Sequence, residues 1–173
     1  MATGSPTQPH RRAKRPLTFV AGPYGHPFHP LLVTIPIGAW VASLVFDLAS
    51  RWAAEPEVFV KASFWLIGIG ILGALVAAGF GLLDLLTIPR GTRTFTTGLA
   101  HMALNLIVVA LYTVGFVLRR GQLEQDRVAL SSLALSIVAL ALLAASGWLG
   151  GTLTYRYGVR VADERTQADG FSR

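Results

Sequence analysis

Residues 25–49 read GHPFHPLLVTIPIGAWVASLVFDLA. This stretch decides the fold. Each Pro fixes its own φ and biases the preceding His away from helix. Pro30 suits the first turn of a helix, where a missing N–H is no loss. A helix over 30–49 has about 20 residues and spans ~30 Å, one hydrocarbon thickness. Pro36 inside it predicts a kink. His26 and His29, two of four histidines in the chain, are thus held on a rigid turn where a helix enters an apolar medium.

Three more apolar segments follow, predicting helices over 62–88, 97–118 and 129–153. The 173 residues are 53% hydrophobic and 14% charged, against about 25% charged in soluble domains. Too few charges remain to make a water-facing surface, so the expectation is an all-α polytopic membrane protein, a four-transmembrane-helix bundle over 22–161. Residues 1–21 predict a disordered basic tail, with no apolar region of a signal peptide. Residues 162–173 predict a flexible C-terminal tail. The absence of Cys excludes disulfides, thiolate metal sites and Cys nucleophiles in this chain. The net charge of +6 sits in tails and loops, which points to topology and anionic membrane lipid, with no nucleic acid as partner.

The basic residues set orientation. The N-tail, the second loop and the C-tail carry Arg11, Arg12, Lys14, Arg15, Arg90, Arg93, Arg156, Arg160, Arg165 and Arg173. The other side carries Arg51, Lys61, Arg119, Arg120 and Arg127. The positive-inside rule places both termini in the cytoplasm and the protein in the inner membrane.

That topology gathers polar groups at one level. His26 and His29 open helix one, Asp84 lies a turn from the end of helix two, and His101 lies a turn into helix three with Asn105 beyond it. Gly150 and Gly151 end helix four. Intramembrane ionisable residues are costly and mark candidate sites. His29 and His101 form a candidate axial pair for haem b, with Gly150 and Gly151 making room and Arg93 and Arg156 meeting the propionates. His26, His29, Asp84 and His101 form an alternative four-ligand set for a divalent metal ion. A third reading is a cofactor-free structural or partner-binding subunit, with Asp84 paired to Arg90 or Arg93. A fourth is a small proton-coupled transporter using Asp84 and His101. Asp47, at the far end of helix one, is expected to pair with Arg51 at i,i+4. Gly73, Ala77 and Gly81, and likewise Ser146 and Gly150, give small faces for close helix approach. The likeness of Val45–Leu48 to Leu82–Leu85 is no repeat, because antiparallel helices put their Asp residues on opposite sides. No nucleophile elbow, phosphate loop or dinucleotide fingerprint appears, so nothing argues for an enzyme.

A set of motifs carries a resemblance: Gly25-His26-Pro-Phe-His29-Pro with Pro36-Ile-Gly, Phe46-Asp47-Leu, Gly81-Leu-Leu-Asp84, Arg93, His101-x-x-x-Asn105, and Ser146-Gly-Trp-Leu-Gly150-Gly151-x-Leu-x-Tyr155. Together these resemble the family called domain of unknown function 2231, predicted four-helix bacterial membrane proteins. The resemblance covers residues 22–161. It implies a redox association, since similar domains share a chain with a Rieske-type iron–sulfur domain, and so makes a Rieske-type protein the expected redox partner. Homo-oligomerisation is left open. Similar chains often carry further histidines where Thr34 and Tyr157 stand here, so a multi-haem scheme is not expected.

Overall fold

The computed structural model describes residues 8–125 and 127–172. These residues are helical, with no strand among them. The elements are α1 (Gln8–Lys14), α2 (Phe28–Leu32), α3 (Thr34–Ala49), α4 (Pro56–Leu85), α5 (Arg93–Arg119), α6 (Leu130–Gly151) and α7 (Glu164–Asp169). A π-helical turn, Thr152–Arg156, prolongs α6. Four helical stretches are long and apolar enough to cross a membrane: Phe28–Ala49, Pro56–Leu85, Arg93–Gln122 and Leu130–Arg156. The protein is a four-span helical membrane bundle.

The spans differ from the hydropathy reading at their ends. The first is broken at Val33, where α2 stops and α3 starts. Pro36 explains the position, because it has no N–H to offer Leu32 and its ring crowds that carbonyl. Both α4 and α5 begin earlier than expected. Pro56 serves as a first helical residue in α4, and Thr92 caps α5 by accepting from the Phe95 amide at 3.1 Å. The charged Glu57, Lys61 and Arg93 lie in the first two turns of these helices, which hydropathy alone excludes. Between α4 and Pro89 the chain turns, as Pro disfavours helix in the residue before it.

Parts of both expected tails are helical among the described residues, outside which residues 1–7 and 173 lie. Gln8–Lys14 is a helix with Ala13 buried. Its end is fastened to the C-terminal segment by Arg160 N–H donating to Ala13 O at 3.0 Å and by Lys14 Nζ donating to Val161 O and Ala162 O. In the C-terminal stretch, the Asp163 carboxylate caps α7 by accepting from the Thr166 amide at 2.9 Å. The Thr166 amide and hydroxyl hold that carboxyl below its usual range.

The bundle is two hairpins, α3 packing mainly on α4 and α5 on α6. Large apolar side chains point outward, as Trp65, Leu72 and Trp148 do, while Ser43, Ser63, Ser132, Ser136 and Ser146 are buried. That inversion suits lipid, where burying Leu gains little and small residues permit close packing. Helices α3 and α5 run in the same direction and face each other in register. Asp47 meets Arg119, 72 residues on, at 2.5 Å. With the same separation, Trp40 stacks on Tyr112, centroids 4.2 Å apart, and His29 meets His101.

The hairpins thus form an approximate internal repeat, distinct from the one rejected on sequence. The neighbouring helices follow it. His29 bonds the carbonyl of Ala77, four residues before Gly81, and His101 that of Ser146, four before Gly150. Gly70 makes room for Trp40, since a Cβ there would come within 2.2 Å of its Nε1.

Asp47 does not pair with Arg51, as the i,i+4 spacing suggested. Helix α3 ends at Ala49, so Arg51 has left the helical register, and it donates to Val128 O at 3.0 Å instead. The fully buried Asp47 accepts from Arg119 and from Ser63. Arg119 also donates to Ser132 O and Ser136 Oγ, so all four spans join one polar knot. Asp47→Ala should lower stability by ~3–5 kcal/mol, because it strands a buried guanidinium. Replacing both members, Asp47→Leu with Arg119→Met, should cost far less. Thermal unfolding in detergent checks both.

Candidate functional site

The site is built around His29 and His101. Pro27 precedes α2 in an extended conformation and starts the helix one residue before His29. His101 lies eight residues into α5, deeper than the four expected, because Thr92 starts that helix early. By helical rise it is ~12 Å in. The two imidazoles meet edge-to-face, with centroids 6.2 Å apart and planes at 88°.

Each ring is fixed from the neighbouring helix. His29 Nδ1 lies 2.8 Å from Ala77 O. His101 Nδ1 lies 2.8 Å from Ser146 O and 3.0 Å from Ser146 Oγ. A carbonyl oxygen only accepts, so Nδ1 carries the proton in both rings. In the neutral rings Nε2 is then the lone-pair nitrogen. That of His101 accepts from Asn105 Nδ2 at 3.1 Å, and the same amide donates to His101 O at 2.9 Å. For His29 Nε2 no hydrogen-bond partner is present among the described residues.

Two glycines create the space. A Cβ on Gly81 would stand 2.9 Å from His29 Cε1, and one on Gly150 would stand 3.2 Å from His101 Cε1. Gly150 thus makes room for the His101 imidazole, while the nearest side-chain atom to a Cβ on Gly151 is Cδ2 of Tyr155, in the following π turn, at 3.9 Å. The small face of α4 also holds, since Gly73 packs on Ile35 and Pro36.

The rest of the expected cluster is arranged differently. His26 is exposed, with Nδ1 3.4 Å from Tyr24 O. Asp84 is buried and pairs with neither Arg90 nor Arg93, nor does it hydrogen-bond either histidine. Its partner is Arg160, whose Nε lies 2.8 Å from Asp84 Oδ1, close enough for an ion pair though not aligned as a hydrogen bond. Arg160 Nη2 also donates to Ala21 O and Gly22 O at 2.9 and 3.0 Å. Its φ of 60° is rare outside Gly. Gly22 is obligatory in this turn: φ is 93° and a Cβ would lie 2.3 Å from His26 O. Arg93 and Arg156 are exposed at the same end. Among the described residues no three His, Asp or Glu side chains converge as an ion-ligating group.

Sequence reasoning missed Arg160, which sits in a stretch too polar and short to predict as packed. It also missed the register of α3 against α5. A signal existed: His29 to Trp40 and His101 to Tyr112 have equal spacing, as do Trp40 to Asp47 and Tyr112 to Arg119.

The family model described as predicted membrane protein (DUF2231) matches residues 25–163. The chain belongs to the DUF2231 family. Its span takes in all four membrane helices, both histidines and Arg160. No curated protein and no solved structure matches the chain. Within this DUF2231 chain the glycine contacts make a direct test. Gly81→Ala and Gly150→Ala should each displace a histidine ring and lower thermal stability by ~1–3 kcal/mol. Gly79→Ala and Gly147→Ala, where a Cβ meets nothing within 4 Å, should be neutral or slightly stabilising.

Proposed function

We propose that the protein is an inner-membrane, redox-associated haem b protein in which His29 and His101 would hold the iron. The observation that carries the reading is the facing of two imidazoles on parallel helices, 6.2 Å apart, each held by Nδ1 on a carbonyl. Metal-bound histidines commonly donate their other N–H to such an acceptor, which fixes tautomer and ring plane. Haem iron asks only two ligands of the protein, and two are what this level offers. A bare zinc or iron ion has less support, because Asp84 is engaged by Arg160 and His26 is exposed.

The bound group would supply one-electron chemistry. The chain's own residues would orient it. Ala77 and Ser146 keep Nε2 of each ring as the donor nitrogen. Asn105 would steady His101 through its bond to His101 O. Arg93 and Arg156 are the available cations for propionates, and a Rieske-type protein is the class of partner that the family resemblance suggests.

A second reading has its own support. Apart from His29 Nε2, each histidine ring nitrogen already has a protein partner, as a cofactor-free helix lock requires. Protein produced with ample haem and metal separates the readings. Haem binding gives a Soret band that His29→Ala and His101→Ala each abolish and His10→Ala leaves intact. No band and no stoichiometric metal defeats the ligand reading. The lock reading then requires non-additive losses of thermal stability in the His29→Ala/His101→Ala pair. For orientation, Thr92→Cys should be shielded from an impermeant thiol reagent in intact cells while Glu57→Cys labels, and the reverse pattern inverts the topology.

A further inference from the structure

The docked N-terminal segment builds a second site that does not involve the histidines. Helix α1 is held by the buried Ala13 and by its bonds to Arg160, Val161 and Ala162. This fixes Arg12 beside the turn that joins α4 to α5. There Arg12 and Arg90 line one cavity of about 320 Å³ with Leu85, Leu86, Ile88 and Phe95. The volume is at the lower end of the range for ligand pockets, ~300–1,000 Å³. Among the described residues neither arginine takes part in an ion pair. The apolar surface continues past the cavity, with Leu82 and Leu86 each about half exposed on the end of the α4 span.

We propose that this cavity binds the phosphodiester headgroup of an anionic glycerophospholipid. Two guanidiniums offer a phosphodiester opposite charge and fork-shaped donors suited to its oxygens. The walls of Leu, Ile and Phe give a free phosphate no partner, but they suit the glycerol backbone and first methylenes of a lipid. The position at the end of a membrane-crossing helix is where a headgroup sits, and basic pockets of this kind recognise anionic headgroups. The occupant is thus a lipid of the surrounding bilayer, held by a segment that composition alone reads as a tail.

The experiment uses the full chain in detergent micelles doped with phosphatidylglycerol or phosphatidylcholine, with retained lipid read by native mass spectrometry. Wild type should retain phosphatidylglycerol in preference to phosphatidylcholine. At about 5-fold per arginine, Arg12→Gln/Arg90→Gln should weaken that retention by roughly 30-fold. Arg120→Gln/Arg127→Gln, at the opposite end of the bundle, should leave it unchanged. Both changes are at exposed residues, and an unaltered thermal midpoint confirms that each variant is folded. Equal retention by wild type and Arg12→Gln/Arg90→Gln overturns the site. Displacement of phosphatidylglycerol by inorganic phosphate at equal concentration would make it a free-anion site and overturn the lipid assignment. None of these readouts depends on whether haem binds.

Discussion

A carboxylate and a guanidinium, each almost wholly shielded, sit between four helices at one end of the bundle. In a medium without water neither can exist alone, since removing one strands the other at several kcal/mol. Asp47 and Arg119 therefore must meet, and their meeting fixes how α3 lies against α5. A slip by one residue would rotate one partner off the seam. Once this rung is set, helical periodicity carries it along α3 and α5: seven residues back on each lie Trp40 and Tyr112. Eleven further back, past the break at Val33 on one side, lie His29 and His101, still paired.

The lateral packing follows from the same seam. Trp40 is large, and α4 reaches it only through Gly70. The rings of His29 and His101 are accommodated by Gly81 and Gly150. Elsewhere on the seam small hydroxyls do double duty, filling little space and satisfying the buried charges: Ser63 serves Asp47, and Ser136 serves Arg119. Polar groups turn inward and Leu, Val and Trp outward, which reverses the order of a soluble bundle because the solvent is apolar.

The fold was legible in the sequence because four long apolar runs separated by Pro, Gly and charge leave little alternative. The meeting of His29 with His101 was legible too, since depth and topology place both at one end. What sequence could not supply was partner choice for the acids. The i,i+4 rule pairs Asp47 with Arg51 only if α3 continues, and it stops at Ala49. Proximity in the chain pairs Asp84 with Arg90 or Arg93, but the winning cation, Arg160, arrives from far along the sequence at a positive φ. Nor could composition show that α1 docks. A short basic stretch has little apolar area, and its anchoring depends on one buried Ala13 and carbonyls of a distant segment.

The two ion pairs divide the bundle electrically. Asp47–Arg119 closes one end and Asp84–Arg160 the other, and each neutralises itself. Between them the histidines lie without a carboxylate in contact among the described residues, and their N–H groups are turned onto carbonyls. The rings meet edge-to-face, one rim against the other's π face, and Nε2 of His101 is taken up by the Asn105 amide. One polar level is thus closed by charge on charge, with Ser63 and Ser136 completing it, whereas the histidine level is held by ring N–H groups on the backbone carbonyls of neighbouring helices.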